Sequence, residues 1–355
     1  MSPGISRVRG WAGFRAILRA PAGRITNQTL LVALVLVFGT GVATVAIGSA
    51  SGRWAAIAHG IAGLVILFLV PWKSRVVRGG LRRGRHTRWV SLLLASLVVI
   101  TFAAGAGYAT GLVRSIAGRP GLWVHIAVAL VLVPLVLWHI VARRIRPRRS
   151  DLSRRTFLRA GLLGAGAAGL YFATAGAVRL GGLPGAGRRF TGSYETGSFD
   201  PDAMPTTSWL VDPVPAVDPD QWRLTVVDGA GRYQLGLDEL MASGVRMRAT
   251  LDCTSGWYAR QDWSGVPVSS LLRSSGPARS LLVHSVTGYW IRFPVSDVGR
   301  LLLATHVGGA PLSAGHGYPL RLVAPGRRGY WWVKWVDRIE LQTTPWWWQP
   351  PFPVT

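Results

Sequence analysis

Long apolar stretches fill the first half of the chain, whereas short alternating patterns fill the second. Five stretches before residue 180 have the length and apolar character of membrane-spanning helices: residues 29–50, 54–70, 89–112, 121–141 and 157–178. The fifth is the weakest and is rich in Gly and Ala. Further along, residues 222–227 and 280–283 alternate as strands do, and residues 238–242 favour a short helical turn. The pattern predicts an all-α transmembrane bundle followed by an α+β domain.

These patterns divide the chain of 355 residues into four segments. Four spanning helices occupy residues 1–150, and a charged entrance with the fifth helix occupies residues 151–180. A linker containing Gly and Arg follows at residues 181–198. We expect the remaining segment, residues 199–355, to be an extracytoplasmic domain.

The basic residues indicate the orientation in the membrane. A formal net charge of +25 also suits a nucleic-acid-binding protein, but here the arginines lie in short blocks between apolar stretches, which argues against nucleic acid as a partner. Basic blocks mark cytoplasmic loops. They occur before the first stretch, after the second and after the fourth, whereas the other loops contain only Arg53, Arg114 and Arg119. We therefore predict a multi-pass cell-membrane protein with a cytoplasmic N-terminus and an outer C-terminal domain, surrounded by membrane lipid.

The entrance to the fifth stretch carries a targeting pattern. Residues 153–159 read Ser-Arg-Arg-Thr-Phe-Leu-Arg, which resembles the twin-arginine export signal with Arg159 in place of lysine. The resemblance implies the twin-arginine export machinery as a partner. That machinery moves folded domains, usually with a cofactor already inserted. The alternative is ordinary positive-inside charge, and cleavage near Ala173 is left open.

Histidines inside the apolar stretches are candidates for function, because ionisable residues are rare there. His125 and His139 share one stretch and are ~14 residues apart, which places them on one helix face and ~21 Å apart along the axis. His59 lies at a depth similar to that of His125, so these two histidines could ligate an outer haem iron. His139 and His86 could hold a second, inner haem.

The pattern of these histidines resembles membrane cytochromes of the b type, whose helix pairs carry histidines at similar spacing. That resemblance implies haem b as a cofactor. The second stretch departs from the pattern, because it has no second histidine near Trp72 or Lys73. The alternative is that the histidines form hydrogen bonds between helices or face lipid headgroups.

The single cysteine, Cys253, cannot form an internal disulfide. A lone cysteine is usually a small buried apolar residue. Its surroundings differ from that expectation: a strand-like run ends at Cys253, Gly-Trp follows, and then comes Trp-x-Gly-Val-x-x-x-x-Leu-Leu. A second block, residues 315–341, contains His-Gly-x-Pro-x-Arg, then Pro-Gly and Val-Lys-Trp. Together the two blocks resemble the sulfite oxidase family over residues 199–345.

The resemblance implies a sulfite-oxidase-type molybdopterin-binding domain and a molybdenum cofactor. In that family a cysteine thiolate ligates molybdenum, so Cys253 would be the metal ligand and the catalytic residue. The phosphate of the pterin calls for basic and backbone donors. The implied cofactor-binding residues are Cys253, His316, Gly317, Arg321, Arg328, Lys334 and Trp335. The alternative for each basic residue is a solvated surface charge.

The region after Cys253 bears on the reaction. Sulfite-oxidising members carry an arginine shortly after the cysteine, whereas here the first arginine is Arg260. The spacing from Cys253 to Trp257 instead resembles the periplasmic methionine-sulfoxide reductase, whose catalytic subunit works with a separate haem membrane protein. The first hypothesis is a reductase in which electrons pass from quinol through haem b to molybdenum and reduce a small-molecule or protein-bound S-oxide or N-oxide.

Two alternatives remain. One is a sulfite-type dehydrogenase that passes electrons from molybdenum to the membrane haem or to an outside acceptor, with the quinone pool or another redox protein as partner. The other is a membrane-tethered, non-enzymatic domain that has lost its metal.

Overall fold

The computed structural model describes residues 23–81, 88–142, 148, 151, 153–207, 213–242, 244–274 and 276–350. The chain forms two compact units. Residues up to Thr44 and Arg53–Arg188 make the first unit, and Val45–Gly52 with Arg189–Thr355 make the second. The candidate sites lie within these units, and each unit is described separately.

The first unit contains five long helices: α1 (Gly23–Ala46), α2 (Gly52–Leu81), α3 (Arg88–Thr110), α4 (Gly121–Ala142) and α5 (Arg154–Leu180). All five are long and apolar enough to cross a membrane, as the apolar stretches predicted. A two-stranded ribbon, β1 (Ser115–Ile116) and β2 (Arg119–Pro120), joins α3 to α4. Its two turn residues have φ of 48° and 73°, the left-handed geometry that a tight two-residue hairpin requires.

Polar contacts join three helix ends on one side of the bundle. The Asp151 carboxylate, just before α5, accepts hydrogen bonds from Arg24 Nε at 3.0 Å and Gln28 Nε2 at 2.9 Å, both on α1. Lys73 Nζ, near the end of α2, donates to Asn27 Oδ1 at 2.8 Å. The start of α1, the end of α2 and the start of α5 therefore lie at the same end of the unit.

The opposite end is closed by the segment after α5. Residues Pro184–Gly187 form a 3₁₀ turn, and Arg188 Nε donates to Ala109 O, near the end of α3, at 2.9 Å. Gly185 packs so closely on α3 that a Cβ there would lie 2.3 Å from Ala109 O. The ends of α3 and α5 therefore share one end of the bundle, in agreement with helices that alternate in direction.

The second unit contains two sheets and two short helices, α6 (Leu237–Met241) and α7 (Val268–Leu271). One sheet has the path β11-β10-β7-β3, with β6 on β7 and β12 on β10. The other has the order β5-β4-β13-β8-β9, in which only β4 and β13 run parallel. The strands are β3 (Tyr194–Glu195), β4 (Leu224–Asp228), β5 (Gly231–Leu235), β6 (Val245–Asp252), β7 (Trp257–Pro267), β8 (Ser280–Ser285), β9 (Trp290–Pro294), β10 (Leu302–Val307), β11 (Ala310–Pro311), β12 (Arg321–Val323) and β13 (Val336–Gln342).

The core of this unit is apolar and closely packed. Trp263 on β7, Phe293 on β9 and Leu302 on β10 are each fully buried. Trp331, the last residue of the 3₁₀ turn Gly329–Trp331, packs against Phe293, and the next residue, Trp332, packs against Trp263. Burial of such large side chains contributes roughly 1.5–3 kcal/mol each, which fixes the strand ends from which the site residues project.

The second unit begins at Arg189, earlier than the predicted start at residue 199. Strand β3 pairs in parallel with β7, and Tyr194 N donates to Gly256 O at 2.9 Å. The expected linker of residues 181–198 is therefore divided between the two units. Its content of Gly and Arg is that of a linker, but a two-residue strand has too short a pattern to be visible in the sequence.

Candidate functional site

Cys253 lies in the tight turn that connects β6 to β7. Its backbone N donates to Trp257 O at 2.9 Å, and Gly256 N donates to Cys253 O at 3.2 Å. The turn requires a φ of 97° at Gly256, a conformation that favours glycine. These bonds fix the buried thiol at the end of a rigid hairpin, with Ser255 Oγ 3.0 Å from Cys253 Sγ.

A cluster of charged and polar side chains around Asp252 holds the β6–β7 hairpin in place. The buried carboxylate of Asp252 is paired with Arg328 and, at 2.9 Å, with Arg189 Nε. It also accepts hydrogen bonds from Thr191 Oγ1 at 2.8 Å and Ser193 Oγ at 2.6 Å. Because a buried charge is tolerated only when it is paired and hydrogen-bonded, these partners determine the position of Asp252 and of the next residue, Cys253.

The loop that carries Arg328 lies directly against Cys253. Arg328 Nη2 donates to Cys253 O at 3.3 Å, while its Nε is buried without a hydrogen-bond partner. The next residue, Gly329, approaches so closely that a Cβ there would lie 3.0 Å from Cys253 Cα. A glycine is therefore needed at this position, and the free Nε is a donor that an additional acceptor could satisfy.

A second cation, Arg321 at the start of β12, is buried near Cys253. One of its nitrogens donates to His316 O at 3.1 Å, and its guanidinium lies over the rings of Trp263 and Trp332. Burial lowers the pKa of Arg321 to about 10, and the negative charge of Cys253 acts in the opposite direction. Its Nε has no hydrogen-bond partner.

Lys334 adds a third basic side chain. Its Nζ donates to Thr207 O at 2.9 Å and to Gly315 O at 2.6 Å. Burial, followed by the charge of Arg321, lowers the pKa of Lys334 to about 7, and Cys253 again acts in the opposite direction. Among the residues that the structure describes, neither Lys334 nor Arg321 forms a salt bridge with a carboxylate. A buried and a half-buried cation near a thiol, with no carboxylate paired to either among the described residues, make a site that favours an anionic ligand.

Gly317 and Trp335 shape the backbone between these cations. Gly317 has a φ of 108°, and a Cβ there would lie 3.1 Å from Lys334 Cβ and 3.3 Å from Arg321 Cβ. Trp335 has a φ of 51°, and its indole nitrogen donates to Ala314 O at 2.8 Å. Trp335 N donates to Gly317 O at 3.4 Å, which ties the two segments together.

His316 is already engaged within the protein. Its Nε2 lies 3.1 Å from Met204 O, and its Nδ1 lies 2.9 Å from Ser313 Oγ. The assignment that satisfies both contacts is a neutral ring that donates from Nε2 and accepts at Nδ1. Burial, together with the charge of Arg321, lowers the pKa of His316 to about 4. His316 is therefore held in place by hydrogen bonds to Met204 and Ser313, and its backbone carbonyl positions Arg321.

In the first unit, the structure brings His59 of α2 and His125 of α4 together, with ring centroids 5.9 Å apart. The Nδ1 of His59 lies 2.9 Å from Val37 O on α1, and the Nδ1 of His125 lies 2.8 Å from Thr101 O on α3. A carbonyl can only accept, so each Nδ1 carries the proton and each Nε2 keeps its lone pair. This is the tautomer in which a histidine ligates a metal through Nε2.

Glycines make room for both rings. A Cβ on Gly41 of α1 would lie 3.2 Å from His59 Cε1, and a Cβ on Gly105 of α3 would lie 2.8 Å from His125 Nδ1. Each glycine follows the accepting carbonyl by one helical turn, so the two histidines have the same local surroundings.

The described residues do not test whether the other two predicted haem ligands, His139 and His86, lie close together. His139 lies near the end of α4. His86, its predicted partner, falls outside the described residues. The second, inner haem stays a prediction.

The sequence analysis did not identify several residues that position the site. Asp252 could have been identified from the sequence, because it is a charged residue at the end of an apolar strand and directly precedes the cysteine. Arg189 and Ser193 lay in the expected linker and gave no local signal. Ser255 lies in the segment after Cys253, where the sequence was searched only for an arginine.

Comparison with known proteins identifies the second unit. The family described as the oxidoreductase molybdopterin binding domain matches residues 211–348. Mitochondrial sulfite oxidase of Homo sapiens is 27% identical over 167 residues, which cover 37% of this chain and 31% of that protein. An NADPH nitrate reductase of Mycosarcoma maydis is 54% identical over 41 residues, which cover 12% of this chain and 4% of that protein.

Among solved structures, the sulfane dehydrogenase SoxCD from Paracoccus pantotrophus aligns with a TM-score of 0.35 and 24% identity, covering 37% of this chain and 40% of that one. The chain spans about a third of the length of the first curated relatives it matches. The matched family covers the Cys253 turn and the segment from His316 to Trp335. Residues 211–348 therefore match a molybdopterin-binding oxidoreductase domain, and this part of the chain is similar to sulfite oxidases.

Proposed function

We propose that the chain is a membrane-bound molybdopterin-dependent oxidoreductase, in which a haem b in the helical unit exchanges electrons with molybdenum in the outer domain. The observation that carries the proposal is a pair of cations near Cys253, the buried Arg321 and the half-buried Lys334, for which the described residues offer no carboxylate partner. Such a site is costly when empty, because buried charges need compensation. A bound anionic cofactor supplies that compensation.

The residues present fit a molybdenum–pterin group. Cys253 would supply the thiolate ligand, and Arg321, Lys334 and the unsatisfied Nε of Arg328 would bind the anionic parts of the pterin. Asp252 would keep the hairpin, and with it the sulfur, in place. When bound, molybdenum supplies two-electron oxygen-atom transfer. A domain that had lost its metal would have no reason to keep a buried and a half-buried cation that no described carboxylate compensates, which argues against a non-enzymatic tether.

The histidine pair fits one haem iron. His59 and His125 offer two Nε2 lone pairs from separate helices, and the proton on each Nδ1 is held by a backbone carbonyl. Gly41 and Gly105 provide the space that the rings occupy. Haem b at this position would serve as the electron carrier between the membrane and the outer domain.

The direction of electron flow in the proposal is from quinol, through haem b, to molybdenum, with an S-oxide or N-oxide as the final acceptor. The turn after Cys253 supports an uncharged substrate, because residues 254–257 carry no basic side chain. Arg260 is exposed on β7, where its charge acts on Glu195. It is therefore not assigned to anion binding at the sulfur.

A sulfite-type dehydrogenase is the second candidate, and the sulfite oxidases among the relatives favour it. In that case Arg321 or Lys334 would contribute to holding the sulfite anion, and electrons would leave through the haem or an outside acceptor. The two candidates differ in direction, and a single experiment separates them.

The proposed location is the cell membrane, with a cytoplasmic N-terminus and export of the outer domain by the twin-arginine machinery. Ser153 caps α5, since its Oγ accepts from Thr156 N at 3.3 Å, and Arg154 and Arg155 are exposed in the first turn. An exposed arginine pair is available to a receptor.

The test uses the full-length protein in liposomes that contain a quinol. After the haem has been reduced, methionine sulfoxide, trimethylamine N-oxide and sulfite are added separately, and the haem spectrum is followed. We expect an S-oxide or N-oxide to reoxidise the haem in the wild type but not in Cys253→Ala. If, in a parallel sample with oxidised haem and no quinol, sulfite instead reduces the haem, the dehydrogenase is correct. If none of these compounds changes the spectrum, electron exchange between the two sites is refuted.

A further inference from the structure

We propose that Ser255 is a positioning residue whose hydroxyl donates a hydrogen bond to the sulfur of Cys253 and thereby raises the reduction potential of the bound molybdenum. This inference rests on the proposed function, because it concerns the metal that Cys253 would ligate. The residue lies two positions after the ligand, where the sequence analysis looked only for an arginine.

The geometry carries the proposal. Ser255 Oγ lies 3.0 Å from Cys253 Sγ, and both residues are buried. In the part of the chain that the structure describes, this is the only hydrogen bond recorded for the Ser255 hydroxyl. The turn that joins the two residues is closed by the bonds from Gly256 N to Cys253 O and from Cys253 N to Trp257 O. The hydroxyl is therefore held at the sulfur by the backbone.

Ligation of the metal by Cys253 determines which atom donates the hydrogen bond between Ser255 and Cys253. A free thiol could donate to the hydroxyl, but a metal-bound cysteine is a thiolate and has no proton. The hydroxyl hydrogen must then point to the sulfur, whose remaining lone pairs accept it. The hydrogen bonds that the nearby Arg321 and Lys334 donate to described residues go to the backbone carbonyls of His316, Thr207 and Gly315, not to the sulfur.

A hydrogen bond to a ligating sulfur changes the electronic properties of the metal. It draws electron density from the sulfur, and it is stronger when the metal is reduced and the sulfur carries more negative charge. The reduced state is therefore stabilised more than the oxidised state, and the reduction potential rises. A higher potential favours delivery of electrons to molybdenum from the haem, in keeping with a reductase.

The test compares Ser255→Ala with Ser255→Thr, which keeps the hydroxyl, and with Thr254→Ala, which removes the neighbouring hydroxyl of the same turn. The measurement is the molybdenum(VI/V) midpoint potential, obtained by titration with detection of the Mo(V) electron paramagnetic resonance signal. Molybdenum is quantified on each sample. We expect Ser255→Ala to lower the potential, and Ser255→Thr and Thr254→Ala to retain the wild-type value.

A wild-type potential in molybdenum-loaded Ser255→Ala would overturn the inference and leave the proposed function intact. Absence of molybdenum from the wild type would overturn both. If Ser255→Ala does not load, the wild type in deuterated buffer gives the answer. We then expect the wild-type Mo(V) signal to show a weakly coupled proton that exchanges with deuterium and that Ser255→Thr retains. Its absence from the wild type would contradict the inference.

Discussion

The two units hold their candidate cofactor residues by opposite physical means. In the helical unit, two imidazoles are oriented by backbone carbonyls and accommodated by glycines, and the contacts of either ring with described residues include no charged side chain. In the C-terminal unit, Cys253 is surrounded by charge: Asp252 and Arg328 are paired next to it, and the buried Arg321 and the half-buried Lys334 lie near it.

The difference reflects the surroundings. A charged group within a membrane is costly, so neutral ligands and backbone acceptors suit a haem site there. A folded domain can bury ions when hydrogen bonds and partners compensate them, and it can keep uncompensated cations when an anion completes the site. The predictions below test whether the two sites are independent in this way.

The largest expected effect is at the metal ligand. Cys253→Ser replaces a soft thiolate with a harder oxygen ligand, so we expect nearly complete loss of turnover. The haem spectrum should be unchanged, because the histidine pair lies in the other unit. Turnover in a dye-linked assay and the reduced spectrum are measured on one preparation. Retention of wild-type turnover would refute the assignment of Cys253.

The reciprocal change is His59→Ala or His125→Ala. Each removes one of the two proposed axial ligands, so we expect the b-type band to disappear while molybdenum content stays at the wild-type level. Turnover with a soluble electron donor should persist, whereas turnover with quinol should be lost. An unchanged b-type band in both variants would show that the haem is bound elsewhere.

A smaller, graded effect is expected at the glycines of the helical unit. Gly105→Ala places a Cβ 2.8 Å from His125, and Gly41→Ala places one 3.2 Å from His59, whereas Gly39→Ala meets nothing within 4 Å. We expect haem occupancy to fall most for Gly105→Ala, less for Gly41→Ala, and not at all for the matched control Gly39→Ala. Equal occupancy in all three would contradict the proposed packing around the rings.

The smallest effect concerns pH and His316. Its pKa in the folded protein is lowered from 6.5 to about 4, so the unfolded state binds the proton first as pH falls. Stability should therefore decline between about pH 6.5 and pH 4, by at most about 3 kcal/mol from this group. Thermal unfolding is followed in protein from a host that makes no pterin. His316→Gln should flatten the decline, and the control His306→Gln, at a half-exposed position on β10, should not.

Much of the fold could be predicted from the sequence, because long apolar stretches have few other structures available to them. The five helices and the α+β domain follow from such patterns. Strand β3 could not be predicted, since two residues carry no periodicity and its partner Trp257 is distant in sequence. Tertiary pairing alone brings the segment after Arg189 into the domain.

The residues of the candidate site also fall into two groups, those that the sequence indicated and those that only the structure identified. Residues within the two quoted blocks, such as Cys253, Arg321 and Lys334, were visible because their neighbours form recognisable spacings. The roles of Arg189 and Ser193 were not, because they depend on contacts with Asp252 across ~60 positions of the chain. The proximity of His59 and His125 followed from their similar depth, whereas the part played by Gly41 and Gly105 required coordinates.

The most direct test of the central claim is a visible spectrum of the detergent-purified, dithionite-reduced protein, with molybdenum and iron quantified on the same sample. The account predicts molybdenum equimolar with the chain together with a b-type haem band. Molybdenum without haem would contradict the claim of two cofactors in one chain and would leave the helices as an anchor for the catalytic domain.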